Sequence, residues 1–162
     1  MGLARDRGLD LHERLGIAER PTVADLTRAL GRVGVTVRLI ALGPEAYGAW
    51  IGRVVVVNSS LPVDERVWCI GHEFSHEQFD TGNHFRLDWI GRAQRDRRAE
   101  LFAGYWLMGI EAESAPAWWL AERHGLPYAR VARWVDLRDG WLALSSTDAA
   151  LERYAPSHWN YA

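Results

Sequence analysis

The sequence has a single cysteine, no lysine and no long apolar run. Cys69 cannot form a disulfide within the chain, which favours a reducing compartment, so we expect a cytoplasmic protein. No stretch approaches the ~20 apolar residues of a membrane-spanning helix. The early charges of Arg5, Asp6 and Arg7 interrupt the apolar core that a signal peptide needs. We therefore expect no association with a membrane.

Neither sign of charge is in large excess. The net charge of −2 gives no general attraction to nucleic acid or to an anionic membrane. With 162 residues, 48% of them apolar, the chain can bury the core of one compact domain. Charged residues are frequent over residues 1–20, which we interpret as an N-terminal lead-in. We expect one domain over residues 21–162, with a helical C-terminal segment.

The order of apolar patterns and breakers predicts an α+β fold. Pro21 and Thr22 can start a helix that runs to Leu30. Residues 35–39 alternate like a half-buried strand, and residues 49–51 and 54–57 flank a tight turn, as in a hairpin. We expect a small, mostly antiparallel sheet packed on two helices, followed by a helical C-terminal part.

The motif that specifies chemistry most narrowly is H-E-x-x-H, present as His72-Glu73-Phe74-Ser75-His76. On a helix, residues four apart lie one turn from each other on the same face. Two imidazoles so placed can hold one Zn²⁺ at ~2.0–2.1 Å each. Glu73 then lies beside the metal, where it can take a proton from the bound water. The alternative is a solvated helix with two surface histidines.

The residues before the motif support a strand that leads into a helix. A β-branched run predicts the strand, and its members are Val54, Val55, Val56, Val57 and Asn58. Ser59 and Ser60 can cap a following helix, and Pro62 suits its first turn. If the strand lies at a sheet edge, its backbone can pair with an extended substrate.

A catalytic zinc also needs a third protein ligand and an open position for water. Asp96 and Glu100 are the candidate third ligands, since both are carboxylates and they lie one turn apart on a second predicted buried helix. Asp96 follows His76 by twenty residues, the spacing at which thermolysin-like enzymes place a glutamate ligand. Glu100 can then accept a hydrogen bond from a ligand histidine, or it can ligate the metal itself with Asp96 in support. The alternative for both is a charged solvent face shared with neighbouring arginines.

These motifs together resemble the ImmA/IrrE-type metallopeptidases, over roughly residues 20–140. Members of that family typically show a valine-rich strand ending in asparagine, H-E-[ILF]-[GS]-H on a helix, and later E-x-x-A-N-x-F-A before an apolar run ending near Leu-Met-Pro. The matching later segment of this chain is Asp96-x-x-Ala99-Glu100-x-Phe102-Ala103, followed by Leu107-Met108-Gly109. Asp96 stands in place of the usual glutamate and is one methylene shorter, so its helix must approach more closely or metal affinity falls.

The resemblance implies a function and a substrate class. The chain is expected to be a zinc endopeptidase in which His72, His76 and Asp96 hold Zn²⁺ and Glu73 is the general acid–base. The expected substrate is a helix-turn-helix repressor, cleaved in mobile-element or stress regulation. For stabilisation of the oxyanion, His84 and Tyr105 are candidates at the rim of the cleft.

The C-terminal third carries a rival signal. Four residues have the offsets of a helix-turn-helix, namely Ala121, Gly125, Val131 and Trp134. Arg130 and Arg133 can then face DNA phosphates, although nearby acidic residues favour a helical hairpin that packs on the core. The rival functions are a DNA-binding regulator with a vestigial zinc site, and a toxin–antitoxin interaction module with a structural zinc. A fourth protein ligand would indicate a structural metal, and an open position a catalytic one.

Overall fold

A computed structural model describes residues 2–79 and 89–145. Within these ranges six α-helices and three strands follow one another: α1 (Gly2–Leu15), α2 (Val23–Gly31), β1 (Thr36–Ile40), β2 (Gly48–Ile51), β3 (Val54–Asn58), α3 (Val63–Phe79), α4 (Trp89–Met108), α5 (Ala117–His124) and α6 (Tyr128–Ser145). A short 3-10 helix, Gly109–Glu113, joins α4 to α5. The predicted α+β class with a helical C-terminal part is confirmed.

Local sequence signals set several of these ends. Thr22 and Asp25 form a capping box at the start of α2, in which each side chain accepts a hydrogen bond from the other residue's backbone N–H. The predicted hairpin between β2 and β3 is present and turns at Gly52, whose φ of 60° suits glycine. Gly125 ends α5 in the left-handed conformation.

The three strands form one mixed sheet in the order β1-β3-β2. β2 and β3 are antiparallel, with Ile51 opposite Val54. β1 and β3 are parallel, with Thr36 opposite Val54. Because β3 lies between β1 and β2, it neighbours a strand that runs in its own direction, so one of the two pairs departs from the expected antiparallel arrangement.

The central position of β3 corrects the expectation that Val54, Val55, Val56, Val57 and Asn58 form a substrate-binding edge. Both hydrogen-bonding edges of this strand are occupied by β1 and β2. Its apolar run is continuous rather than alternating, as is typical of a strand that is covered on both faces. The edge strands of the described sheet are β1 and β2, and β2 is the one that lies over α3.

The helix α1 belongs to the core rather than standing apart from it. Gly8 lies so close to α4 that a Cβ there would be 2.8 Å from the Cβ of Tyr105. One turn later, Nδ1 of His12 forms a 2.8 Å hydrogen bond with the carbonyl of Trp106. The lead-in expected over residues 1–20 therefore contains a helix that packs along α4.

The C-terminal helices are fixed to the same core. The indole of Trp134, on α6, is fully buried and donates from Nε1 to the carbonyl of Leu101 at 3.2 Å. Arg138 is also buried and donates from Nη1 to the carbonyls of Ala112 and Ala115, at 2.8 and 3.1 Å. The expected helical hairpin that packs on the core is confirmed. Across the described segments, none of the helices has the length and apolarity needed to cross a bilayer.

The contact between α4 and α6 depends on the absence of a side chain at Gly104. A Cβ at this position would lie 2.1 Å from the indole of Trp134. We predict that Gly104→Ala lowers the free energy of unfolding by about 1–3 kcal/mol through overpacking, as measured by urea denaturation. Gly140→Ala is the matched control, because no atom lies within 4 Å of a Cβ there and alanine favours a helix. An equal effect of the two substitutions would contradict this account of the contact.

Candidate metal centre

The helices α3 and α4 bring three potential metal ligands together. His72 and His76 lie one turn apart on α3, with ring centroids 5.2 Å from each other. Asp96 projects from α4, and one ligand atom from each of the three side chains lies within 4.8 Å of the others. In tetrahedral zinc coordination, ligand atoms are about 3.3 Å apart. Small side-chain rotations would therefore close this set around an ion, and two imidazoles with one carboxylate are donors that zinc accepts.

Small residues let α3 and α4 approach closely next to this set. A Cβ added at Gly71 would lie 3.1 Å from Cδ1 of Leu107 and 3.3 Å from the Cβ of Ala103. The close approach follows from glycine on one helix facing alanine on the other. Because the two helices are this close, the short side chain of Asp96 can reach the two histidines.

Glu100 lies one turn beyond Asp96 and is buried, with 8% of its surface exposed. Its Oε2 accepts a hydrogen bond from Nε1 of Trp68 at 2.9 Å. Its Oε1 is 3.6 Å from Nδ1 of His72, a distance typical of an ion pair rather than of a short hydrogen bond. Glu100 thus stands behind the histidine, and the described group of three potential ligands does not include it.

The charges of Glu100 and His72 stabilise each other. Burial opposes the charged form of Glu100, but its contacts with His72, Trp68 and Arg130 together outweigh this effect and hold the pKa of the carboxyl below its usual value. Burial likewise opposes the charged form of His72, but Glu100, together with the negative charges of Glu73 and Asp96, outweighs it and raises the pKa of the imidazole. In the metal-free protein the two groups therefore favour an ion pair.

A cavity of about 230 Å³ opens beside His72 and the motif glutamate, Glu73. Its walls come from α3, α4, α6 and the start of β2, and are formed by Tyr47, Gly48, Glu65, Trp68, Cys69, His72, Glu73, Glu100 and Arg130. A Cβ at Gly48 would lie 2.7 Å from the carbonyl of Val56 and 3.2 Å from Cγ of Glu73. Glycine therefore lets the edge strand β2 run directly beside the motif glutamate.

Arg130 belongs to this cavity, although its position in the sequence suggested a phosphate contact. Its Nε lies 3.1 Å from Oε2 of Glu65, and its Nη1 lies 3.8 Å from Oε1 of Glu100. The guanidinium also covers the ring of Tyr47, 4.7 Å from its centroid. In this arrangement Arg130 joins α6 to the metal-centre helices, whereas Arg133 on the same helix is exposed.

Asn58 shapes the loop that delivers Tyr47 to the cavity. Its side-chain oxygen accepts from the backbone N–H of Leu42 and of Ser60, at 3.2 and 3.0 Å. Its amide nitrogen donates to the carbonyl of Ala46 at 2.8 Å. The buried asparagine at the end of β3 therefore organises the loop before β2, which is a structural role.

The rim assignment of Tyr105 is wrong. Tyr105 is 1% exposed, and its ring packs edge-on against Trp134 with a centroid distance of 5.1 Å. It follows Glu100 by five residues, which turns it about 140° around the helix, away from the metal centre. His84, the other rim candidate, lies outside the described residues.

Sequence reasoning missed Tyr47, Glu65 and Trp68. For Trp68 a signal was available, because it precedes His72 by four residues and so shares its helix face. Glu65 carried the same signal, because it precedes His72 by seven residues, or two turns. For Tyr47 the sequence held no comparable signal, since its role depends on how the loop before β2 meets α3.

Comparison with known proteins gives a family match and a shared fold. The family model of the IrrE N-terminal-like domain, Peptidase_M78, matches residues 30–130. A search of curated proteins finds no match. Among solved structures, a Mycobacterium tuberculosis transcriptional regulator superposes with a TM-score of 0.63 at 19% identity, over 81% of this chain and 46% of that chain. At this identity the likeness shows the fold, and this chain spans about half the length of that protein.

Cys69 borders the cavity as a neutral thiol. Its Sγ donates to the carbonyl of Tyr47 at 3.4 Å, and burial raises the pKa of the thiol to about 12. Because the thiolate is the reactive form, we predict that iodoacetamide at pH 8 leaves Cys69 unmodified in the folded protein and modifies it in urea. Mass spectrometry of the intact chain measures this, and rapid labelling of the folded protein would refute it.

Proposed function

Because the chain belongs to the IrrE N-terminal-like family, Peptidase_M78, we propose that it is a zinc-dependent endopeptidase. The observation that carries this proposal is the convergence of His72, His76 and Asp96, whose ligand atoms lie within 4.8 Å of one another. Glu100, on the far side of His72, acts as the supporting carboxylate rather than as a ligand. With Nδ1 of His72 facing Glu100, Nε2 is the ring nitrogen left for a metal.

The chain's own residues supply the proton transfers. Zn²⁺, when bound, acidifies water and polarises a carbonyl group. Glu73 lies next to His72 on α3 and lines the cavity beside it. Its carboxylate accepts a proton from the attacking water and then passes that proton to the leaving amine. The carboxylate of Glu100, which faces Nδ1 of His72, orients the imidazole from the opposite side.

The edge strand β2 replaces β3 as the substrate-binding strand. β2 lies at one side of the described sheet, and Gly48 brings its backbone beside Glu73. An extended peptide that adds to the outer edge of β2 in the described sheet through backbone hydrogen bonds would pass along the catalytic helix. Substrate side chains on that path reach the cavity between α3 and α6.

A helix-turn-helix repressor is the protein substrate that we propose, as the family resemblance implies. The fold shared with a transcriptional regulator supports a role in the control of transcription. We propose that this control acts through proteolysis rather than through direct DNA contact, because Arg130 pairs with Glu65 at the cavity. The lone, buried Cys69 suits the reducing cytoplasm in which such a repressor acts.

The metal assignment predicts an order of effects on zinc affinity. The purified protein should bind about one Zn²⁺ per chain. The double variant His72→Ala, His76→Ala should lose tight binding, and Asp96→Ala should lose more affinity than Glu100→Ala, for which we expect roughly a 10–100-fold decrease. Competition with a chromophoric chelator measures each value, with Asp136→Ala, at an exposed position on α6, as control. A larger loss for Glu100→Ala would exchange the roles of the two carboxylates.

The proposed chemistry predicts that Glu73→Gln separates metal binding from catalysis. Glutamine keeps the shape of the side chain but cannot accept the proton. The variant should keep its fold and its zinc, and its kcat should fall by roughly 10²–10⁴-fold. The assay is cleavage of candidate repressors followed by gel electrophoresis, and the exposed Glu122→Gln is the control. Cleavage by Glu73→Gln at the wild-type rate would exclude this mechanism.

A further inference from the structure

The indole of Trp68 forms a hydrogen bond that the chemistry described so far does not use. Trp68 lies one turn before His72 on α3 and is 2% exposed. Its Nε1 donates to Oε2 of Glu100 at 2.9 Å. Donor and acceptor come from different helices, and both side chains are buried. This bond therefore links α3 to α4 directly behind the proposed metal centre.

The bond to Oε2 determines where the other carboxylate oxygen lies. Oε1 of Glu100 lies 3.6 Å from Nδ1 of His72 and 3.8 Å from Nη1 of Arg130. Neither distance is that of a short hydrogen bond, so these contacts constrain rotation of the carboxylate weakly. The contact of 2.9 Å with Trp68 is the short one.

We propose that Trp68 is a positioning residue for the metal centre. Its indole N–H holds Glu100 in the orientation that sets the imidazole of His72 for zinc. The inference rests on the proposed zinc peptidase function and adds a residue to it. Because carboxylates that orient ligand histidines usually contribute to metal affinity, the group that orients such a carboxylate should contribute in turn.

An indole suits this role for two reasons. Its N–H is a donor only, so it cannot turn to accept a bond, as a hydroxyl group can. The rigid, buried ring also needs no reorganisation to present that donor. The other buried indoles differ, since Trp134 donates to a backbone carbonyl and Nε1 of Trp106 has no hydrogen-bond partner among the described residues.

Trp106 therefore provides a matched control. Trp68→Phe and Trp106→Phe each remove an indole from the same core, but the first also removes a hydrogen bond to Glu100. We expect Trp68→Phe to weaken Zn²⁺ binding roughly 10-fold, and Trp106→Phe to leave it unchanged, by chelator competition at constant pH. If Trp68→Phe fails to fold, benzothienylalanine at position 68 keeps the shape of the ring and removes only the N–H. Equal zinc affinity in these Trp68 variants and the control would overturn the proposal.

A double-mutant cycle distinguishes positioning from general packing. If Trp68 acts through Glu100, then Trp68→Phe should cause no further loss of zinc affinity in a Glu100→Ala background. Losses that add independently would overturn the proposal. In the cleavage assay we expect kcat to fall while KM stays within twofold. A rise in KM with unchanged zinc affinity would instead make Trp68 part of the substrate-binding wall, and would also overturn it.

The same measurements separate this inference from the proposed function. A wild-type protein that binds no zinc would refute both the proposed function and the positioning role of Trp68. A wild-type protein that binds zinc and cleaves a repressor, together with Trp68→Phe that matches Trp106→Phe in zinc affinity, would remove the positioning role alone.

Discussion

The close contact between α3 and α4 is the constraint on which the candidate site depends. Gly71 faces Ala103 and Leu107 so closely that a Cβ there would lie 3.1–3.4 Å from their side chains, tighter than most Cβ contacts. This contact brings Asp96 and Glu100 to the histidines of α3. A bulkier residue at Gly71 would separate the helices, and the short side chain of Asp96 could not compensate. The spacing of the motifs along the chain has chemical meaning only because the two helices are this close.

A buried carboxylate next to that contact needs partners for its charge and its hydrogen bonds. Glu100 is almost removed from water, and an ionised carboxylate in such a place is costly unless it is paired. Partners from two other helices surround it, namely Trp68 and His72 from α3 and Arg130 from α6. The favourable charge interactions outweigh burial, as the lowered pKa of Glu100 shows. Among these partners, the indole of Trp68 makes the shortest contact with the carboxylate.

How much the sequence reveals depends on how local each signal is. The helix start at Thr22, the turn at Gly52 and the one-turn spacing of His72 and His76 are local, and each is found where it was predicted. The order of the strands is not local, because pairing partners far apart in the chain decide it, and so whether β3 lies at an edge stayed open until the structure placed it in the centre. The unbroken run of valines in β3 is the sequence feature that indicates a central strand, covered on both faces. Tyr105 does not reach the rim, because the five residues between it and Glu100 turn its side chain about 140° around α4, away from the metal centre.

The C-terminal helices show how one pattern can serve two structures. A small residue, a glycine turn and spaced apolar residues suit a DNA-binding hairpin, and they suit a hairpin that covers a core equally well. The deciding residues are Gly104, which admits Trp134, and Glu65, which pairs with Arg130. Both lie in other parts of the chain. Because Arg130 contacts Glu65, Glu100 and Tyr47 together, any displacement of α6 would alter a wall of the cavity and the surroundings of Glu100. The segment that resembles a DNA-binding motif is therefore physically part of the candidate metal centre.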